Sequence, residues 1–133
     1  MSYRGIENWY GNLYQFVDGI NIQNNIPFVA DHSYISDQFT SPYSSLGLTL
    51  WQSTGYPTNI AVSNSFNYQF LPLTIGGSTS TYLTDYYYQA SGNRITLYGG
   101  SWSYGGYAGG FFWYCSPGSS YVDRFIGGRL LWY

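Results

Sequence analysis

Hydrophobic and polar residues alternate over several short stretches of this chain, and the alternation predicts strands. The clearest stretches are LGLTLW at residues 46–51 and NRITLY at residues 93–98, because successive side chains of a strand point to opposite faces. No stretch of about 12 residues shows clean helical periodicity. The pattern therefore predicts a β-rich chain, with further strands at 58–62, 65–73, 81–88 and 126–133.

The N-terminal stretch, residues 3–20, is ambiguous between a short helix and a strand. Leu13 and Phe16 are three residues apart, as on a helix face, yet neighbouring positions also alternate in character. Gly11 and Gly19 enclose at most seven residues, which favours a strand or a single helical turn.

The rest of the chain shows turns but no division into domains. Residues 21–45 are rich in Asn, Asp and Pro, which are typical turn formers. No repeat of fixed period and no linker interrupts the 133 residues, a length that suits one ordinary domain. We therefore expect a single domain over residues 1–133.

The amino-acid composition excludes some classes of binding partner. Aromatic residues make up 23% of the chain and charged residues 8%, Lys is absent, and the net charge is −2 with four Arg. Phosphate backbones are bound by clustered Lys and Arg, so we expect no nucleic-acid partner. The same scarcity argues against adsorption to an anionic membrane, and the many aromatics argue against disorder.

The sequence also bears on compartment. Cys115 is the sole cysteine, so no internal disulfide can form. The first five residues, MSYRG, contain no apolar core of a signal peptide. No run approaches the roughly 18 apolar residues of a membrane span. We expect a protein made without a signal peptide and without membrane insertion.

Motifs for catalysis are absent from the sequence. His32, the one histidine, lies in a polar turn, and no His, Cys and carboxylate residues follow zinc spacing. Neither an EF-hand loop, a G-x-S-x-G elbow nor a phosphate-binding glycine loop occurs. Nothing in the spacing lowers the pKa of Cys115, so a passive surface or half-buried thiol is expected. We predict no enzyme activity, no cofactor and no metal.

The segment 103–125, SYGGYAGGFFWYCSPGSSYVDRF, has the composition of a recognition surface. Tyr offers a large amphipathic contact area with few rotatable bonds, while Ser and Gly let the backbone adapt. Segments this rich in Gly and Ser normally lie at the surface. Two alternatives are that the segment is a flexible low-complexity loop and that its aromatics belong to the core.

The same segment has an unusual codon property. Every residue in 103–125 except Trp113 can be encoded by a codon ending in a pyrimidine. Lys, Glu, Gln and Met are all absent from it. The motifs that flank the segment give this codon property an interpretation.

Two motifs resemble a known family. Residues 8–18, NWYGNLYQFVD, resemble the "GN-V-W-E-W" segment of the formylglycine-generating-enzyme branch of the C-type-lectin fold. GGSW at residues 99–102, followed by IGGRL at 126–130, resembles that branch's closing "GGSW … GFRL" pattern. The same pair frames the variable region in target proteins of diversity-generating retroelements, where mutagenesis of adenines in AAY codons produces the pyrimidine-ending codon set.

The resemblance implies a fold and a function. The fold would be α+β and C-type-lectin-like, β-rich with short helices and long irregular loops. The function would be non-catalytic binding through a hypervariable site, used by a phage or other virus to recognise a host-surface protein or glycan. The protein would then act on the virion surface or outside the cell. Whether it assembles into a homo-oligomer is left open by the resemblance.

The resemblance also implies roles for individual residues. The framework would be Trp102, Trp113, Ile126 and Arg129. The variable ligand-binding residues would be drawn from Ser103, Tyr104, Tyr107, Phe112, Tyr114, Cys115, Tyr121, Asp123, Arg124 and Phe125. A buried framework that holds an exposed site implies that Trp102 and Trp113 are buried and that Tyr104, Tyr107 and Tyr121 are largely exposed.

Some features of the family are not carried over. Its oxidases hold copper with a closely spaced pair of cysteines, and this chain has one cysteine. Calcium-dependent lectins use E-P-N or W-N-D runs, and neither is present. Two other functions stay open: a structural virion component, such as a decoration or fibre protein with aromatics buried between subunits, and an enzyme that uses scattered carboxylates.

Overall fold

A computed structural model describes residues 10–50, 54–62 and 71–127, together with the backbone of 2–3 and 6–7. The described residues form short strands and a 3-10 segment, Trp102–Tyr107, which is kinked at Gly105. In chain order the strands are β1 (Ser2–Tyr3), β2 (Ile6–Glu7), β3 (Tyr14–Gln23), β4 (Ile26–Val29), β5 (Ser44–Ser45), β6 (Pro57–Ala61), β7 (Leu71–Ile75), β8 (Tyr87–Gln89), β9 (Asn93–Tyr98), β10 (Trp113–Cys115) and β11 (Ile126–Gly127).

The main sheet has the strand order β5-β4-β3-β9-β10-β8, and β11 pairs with β3 off this path. Most neighbours are antiparallel, but β10 pairs with β8 and β11 pairs with β3 in parallel. The strands β6 and β7 form a separate antiparallel pair, as do β1 and β2. The chain is therefore β-rich with a mixed sheet, as the alternation predicted.

One face of the main sheet carries the larger hydrophobic core. Tyr87 and Trp113 are directly paired on β8 and β10, and both lie in this core with Cys115. Ile22 from β3 and Leu71 from β7 complete its centre. Because successive side chains alternate across a strand, the residues between these positions point to the opposite face.

That opposite face carries the aromatic side chains. Tyr14, Leu97 and Phe112 are buried there, and a ring of partly buried tyrosines packs around them. Tyr88 and Tyr114 are directly paired on β8 and β10 and belong to this second cluster. The main sheet thus separates an aliphatic and aromatic core from a layer of tyrosine rings.

A bulge in β3 lets one strand contribute to both clusters. Phe16 pairs with Leu97 and the next pair is Asn21 with Ile95, so five residues of β3 span two residues of β9. The three extra residues invert the alternation, since an odd insertion exchanges the two faces. Consequently Tyr14 faces the tyrosine layer, whereas the even-numbered Ile20 and Ile22 face the larger core.

Gly19 makes the bulge possible. Its φ is +82° and a Cβ there would lie 2.6 Å from the carbonyl oxygen of Ala30. Only glycine adopts this left-handed backbone readily. The backbone N–H of Ala30 donates to the Gly19 carbonyl at 3.0 Å, which ties the bulge to the end of β4.

Several strand predictions agree with the structure. Residues 93–98 coincide with β9, and 58–62 lie largely within β6. The predicted strand 81–88 is shorter and later, because only Tyr87–Gln89 pairs as a strand. The ambiguous N-terminal stretch becomes β3, which continues through Gly19 to Gln23. Leu71–Ile75 overlaps the predicted strand 65–73, whose residues 65–70 lie outside the described residues, as do 128–133 of the predicted terminal strand.

The strand predicted at 46–51 is wrong for its described part. Residues 46–50 are in no strand, although Leu46 and Leu48 pack against the larger core and Leu50 is buried in it. Isolated hydrogen bonds, rather than a ladder, hold these leucines in place. For example, the Leu46 N–H donates to the Pro27 carbonyl at 3.0 Å. The alternation therefore predicted burial correctly but not a ladder of hydrogen bonds.

The turn-rich prediction for residues 21–45 misses a hairpin. Strands β3 and β4 are joined by Asn24 and Asn25, both with positive φ. Two central residues with positive φ are typical of tight hairpin turns, and Asn tolerates that backbone. The short-helix prediction is met, in the described part of the chain, by a 3-10 segment and by no α-helix. No helix there has the length and apolar character to cross a membrane.

Candidate functional site

The tyrosine layer forms a continuous, partly exposed patch, which we call the aromatic surface. Its members are half-buried or exposed side chains from four parts of the chain. They are Tyr56, Tyr86, Tyr88, Trp102, Tyr104, Tyr107, Tyr114, Tyr121 and Phe125. Tyr86 and Tyr88 lie outside the segment 103–125 and join the surface because the sheet pairing brings β8 beside β10.

The floor of the aromatic surface is built by β8, β10 and β3. The rings of Tyr88 and Tyr114 meet edge to face with centroids 5.4 Å apart. The Tyr14 ring stacks on the Tyr114 ring at 5.4 Å and lies 5.8 Å from the Phe112 ring. These separations are typical of favourable aromatic pairs, so the floor is a packed arrangement of rings.

The 3-10 segment adds rings over this floor. Tyr104 points inward, with its ring 5.9 Å from Tyr88 and 5.5 Å from Phe112. Tyr107 points toward the rim, where its ring stacks on Tyr56 at 6.2 Å and meets Tyr86 at 5.2 Å. The segment therefore extends the patch from the floor to its edge.

Backbone contacts fix where the 3-10 segment begins and ends. The Trp102 N–H donates to the Asn12 carbonyl at 3.0 Å, and the Gly11 N–H donates to the Gly99 carbonyl at 2.9 Å. Gly100 has φ +70°, and a Cβ there would lie 2.7 Å from the Cβ of Ala108. A larger residue at position 100 would push the end of the segment away from its start.

The residues after the 3-10 segment are held by Asp85. Its carboxylate accepts the Phe111 N–H at 2.6 Å. The phenol of Tyr98 also donates to the Gly110 carbonyl. The turn between the 3-10 segment and β10 is thus anchored from β9 and from the residues before β8, and it presents the exposed ring of Phe111.

The far edge of the surface is organised by Asp123. Its carboxylate accepts the Tyr121 hydroxyl at 2.8 Å and the Phe125 N–H at 3.1 Å. The centroids of the Phe125 and Trp102 rings lie 5.4 Å apart. The Arg124 guanidinium lies over the Phe125 ring, 4.9 Å from its centroid. This cation–π contact places the positive charge of the edge against an aromatic face.

Burial and a hydrogen bond to a carboxylate raise the pKa of two tyrosines of the surface. Burial raises the pKa of Tyr88 to about 12. The hydrogen bond to Asp123 raises the pKa of Tyr121 to about 12 and lowers the pKa of the Asp123 carboxyl. Neutral phenols both donate and accept hydrogen bonds, so the surface offers apolar area with polar tips and little charge.

Three side chains lie elsewhere than their predicted roles implied. Trp102, predicted as a buried framework residue, is 62% exposed and belongs to the aromatic surface. Phe112 and Cys115, predicted as exposed variable residues, are both 0% exposed. Each of the two is covered by the cluster in which it packs. Phe112 points under the tyrosine layer, whereas Cys115 points into the larger core beside Thr96, with sulfur and oxygen 3.8 Å apart.

The other predicted residues are placed as follows. Trp113 is buried, as expected of a framework residue, and Tyr107 is exposed. Tyr104 and Tyr121 are half-buried rather than largely exposed, because each packs against the second cluster. Ser103 is exposed at the start of the 3-10 segment, Ile126 is half-buried, and Arg129 lies outside the described residues.

The sequence analysis missed the contribution of β8 and its surroundings. The Tyr88 ring lies directly beside Tyr114, the Tyr86 ring lies beside Tyr88, and Tyr56 lies beside Tyr86 at the rim. The signal was present in TYLTDYYY at residues 81–88, where alternation places every second tyrosine on one face. What could not be predicted is which other strand that face would adjoin.

The residues considered in the sequence analysis for chemistry, Cys115 and His32, lie outside the aromatic surface. Burial raises the pKa of Cys115 to about 12, and a thiol held protonated is a poor nucleophile. The His32 ring pairs with Asp31 at an exposed turn, away from the aromatic surface. Among residues 10–50, 54–62 and 71–127, no three His, Cys, Asp or Glu side chains come together to hold a metal ion.

Comparison of this chain with protein-family models, with curated proteins and with solved structures finds no match.

Proposed function

We propose that this domain is a non-catalytic binding protein and that the aromatic surface is its recognition site. The observation that carries the proposal is the continuity of the rings. From Tyr56 through Tyr86 and Tyr88 to Tyr114, each ring lies within 5.4 Å of the next. Contiguous exposed aromatic patches on a domain mark sites of interaction.

The chemistry of the rings suits binding. Tyr and Trp dominate the residues that contribute most to interface affinity, because they bring large contact areas at low cost in side-chain entropy. Here the rings already support one another, as Tyr104 does with Tyr14 at 5.8 Å. A surface ordered before binding loses less entropy when a partner arrives.

The way the segment 103–125 is attached supports a diversified site. Gly11 and Asn12 bond to Gly99 and Trp102, and Tyr14 pairs with Ile126 in parallel. Both ends of the segment are therefore tied to the N-terminal stretch that carries the other family-like motif. We propose a C-type-lectin-like fold, in which this frame holds a segment varied by a retroelement.

The proposed partner is a macromolecule on a host surface, a protein or a glycan, reached from a virion or outside the cell. Asp123 and Arg124 are the charged residues within the segment. Asp123 is engaged by Tyr121 and Arg124 lies on Phe125. Attraction through this surface would thus rest on apolar contact and neutral hydrogen bonds.

Comparison of closely related genes tests the diversification. Substitutions derived from adenines should concentrate in 103–125 at surface positions such as Tyr104, Tyr107 and Tyr121, with a near-identical template repeat beside the gene. They should spare Phe112 and Cys115, which are buried. Substitutions spread evenly along the chain, or concentrated at the buried positions, would contradict the proposal.

The alternative of a structural virion component draws on the same exposed groups. Trp102, Phe111 and Val122 are exposed apolar side chains that could be buried between subunits. Sedimentation of the purified domain separates the two functions. A stable oligomer that dissociates when Trp102 is replaced by alanine would favour the structural component, whereas a monomer with an accessible surface favours recognition.

A further inference from the structure

The bulge in β3 opens a cleft of about 240 Å³ at some distance along the sheet from the tyrosine layer. One wall is the bulge itself, residues 16–21, and another is the loop 34–36. Ser119 closes the third side. Nothing in the proposed recognition function uses this cleft.

The loop wall is held in place by a buried amide. Asn21 is 3% exposed, and its Nδ2 donates to the carbonyls of Ile35 at 2.7 Å and Gln38 at 3.0 Å. The Tyr43 hydroxyl accepts the Ile35 N–H at 3.1 Å. The cleft is therefore set before any ligand arrives, which lowers the entropic cost of binding.

Several polar groups of the cleft can accept hydrogen bonds from a ligand. The Tyr34 hydroxyl donates its proton to the Asp31 carbonyl, and the Ser119 hydroxyl donates to the Asp37 carboxylate. Both N–H groups of Asn21 are used by the loop, which leaves its Oδ1 as the acceptor it can offer. The carboxylate of Asp18 is a further acceptor in the lining.

Charge and aromatic character point the same way. Of the described residues that line the cleft, none is Lys, Arg or His. Asp18 lines the cleft and Asp37 adjoins it through Ser119. Phe16 and Tyr34 also line it and are 46% and 51% exposed. Acceptor atoms, carboxylates and partly exposed rings together favour a cation that carries N–H donors.

We propose that this cleft binds an organic cation of the guanidinium or primary ammonium type. Such a group donates several hydrogen bonds, matches the carboxylates and stacks on aromatic faces. It could come from a small free amine or from an Arg side chain of a partner protein. The proposal stands apart from the aromatic surface, whose residues do not line the cleft.

A titration followed by nuclear magnetic resonance tests the proposal on the whole chain. The probe is agmatine, which carries both a guanidinium and a primary ammonium, and the uncharged control is N-butylurea. Agmatine should shift the backbone signals of Gly19, Ser36 and Ser119 and the side-chain amide signals of Asn21, in a saturable manner. N-butylurea should leave them in place.

Two isosteric variants provide the matched control. Asp18→Asn removes one exposed carboxylate from the lining and should weaken agmatine binding about tenfold, as expected for a lost charge-assisted contact. Asp31→Asn removes an equally exposed carboxylate that does not line the cleft and should leave binding unchanged. Phe16→Leu, which removes a ring, should weaken binding with the fold retained.

A second arm distinguishes the sources of the cation. The peptide Gly-Gly-Arg-Gly-Gly binding as tightly as agmatine would assign the cleft to a partner's side chain, and weaker binding would assign it to a free amine. Either result supports the proposal. Equal shifts with agmatine and N-butylurea, no saturation by agmatine, equal effects of the two Asp variants, or displacement of agmatine by Ca²⁺ would each overturn it.

Discussion

At the scale of single residues, neighbouring aromatics in this chain have opposite environments. Phe111 is 48% exposed, whereas Phe112, the next residue, is fully buried beneath Tyr14, Tyr88 and Tyr104. The difference arises because Phe111 lies in the turn anchored by Asp85, while Phe112 leads into β10. Composition alone treats the two residues as equivalent.

These two phenylalanines give a matched stability prediction. Phe112→Ala should lower the free energy of unfolding by about 3–5 kcal/mol, as expected for loss of a buried ring. Phe111→Ala should cost no more than about 1 kcal/mol, because the ring is half in solvent. Chemical denaturation followed by fluorescence measures both. Similar costs for the two variants would contradict the placement of Phe112 under the tyrosine layer.

Asp123 gives a prediction for pH. The Tyr121 hydroxyl, followed by the Phe125 N–H, holds the pKa of the Asp123 carboxyl below its usual range. A lowered carboxyl pKa stabilises the fold above the unfolded-state value of about 3.9. This contribution is lost as pH falls through the folded-state value. Tyr121→Phe should therefore raise the pKa of Asp123.

Titration of the side-chain carboxyl carbons, followed by nuclear magnetic resonance, measures the pKa of Asp123 in the parent and in Tyr121→Phe. Asp31 serves as the internal control, since its pKa is lowered by His32 rather than by Tyr121. The Asp31 titration should be the same in the parent and in Tyr121→Phe. An unchanged pKa of Asp123 in the variant would show that the hydroxyl is not its main partner.

At the scale of elements, the bulge in β3 decides which residues reach the aromatic surface. Without its three extra residues, Ile20 and Ile22 would point to the same face as Tyr14. The bulge depends on Gly19, whose left-handed backbone and close approach to Ala30 exclude a Cβ. A single glycine thus links the backbone of one strand to the separation of the two clusters.

Two glycines allow strain and crowding to be separated. Gly47 also has positive φ, +68°, but a Cβ there would meet nothing within 4 Å. Gly47→Ala should cost about 1–2 kcal/mol from the backbone alone. Gly19→Ala should cost clearly more, because the Cβ would also lie 2.6 Å from the Ala30 oxygen. Denaturation midpoints compare the two, and equal costs would contradict the close approach.

Some of these elements could be predicted from the sequence and others could not. Alternation predicted β9 and β6, because each strand carries its own pattern. It also predicted that Leu50 would be buried, but not that a single hydrogen bond to Asn25 would replace a ladder. The bulge could not be predicted, since an inserted residue leaves no signature in one strand without its partner.

For the candidate site, the sequence predicted the segment but not the roles of all its members. Tyr107 is exposed, as expected, since its Gly-rich surroundings keep it at the rim. Trp102 was expected to be buried as a framework residue that holds the variable segment, yet it lies at the edge against Phe125. Tyr86 and Tyr88 join the surface through a parallel pairing of distant strands, which one sequence cannot reveal.

At the scale of the whole molecule, the two faces of the main sheet have different environments. One face buries the larger core, and the other carries the aromatic surface, with the cleft at the bulge farther along β3. The segment 103–125 contributes to both faces, through Trp113 and Cys115 on one and the tyrosines on the other. Variation would be tolerated on one face alone.

Recognition through the aromatic surface is tested by measuring, with flow cytometry, the binding of the purified domain to a panel of intact bacterial and archaeal cells. The test variant, Trp102→Ala with Tyr107→Ala, removes two exposed rings of the aromatic surface. The control, Tyr82→Ala with Val62→Ala, removes two exposed apolar side chains outside it. Both should remain folded, since all four side chains are exposed.

We expect the parent and the control to bind one cell type equally, with little change between about 50 and 300 mM salt. The test variant should lose at least about tenfold in affinity, because hot-spot rings contribute about 2 kcal/mol or more. Equal binding by all three folded proteins would contradict the claim that the aromatic surface is the recognition site.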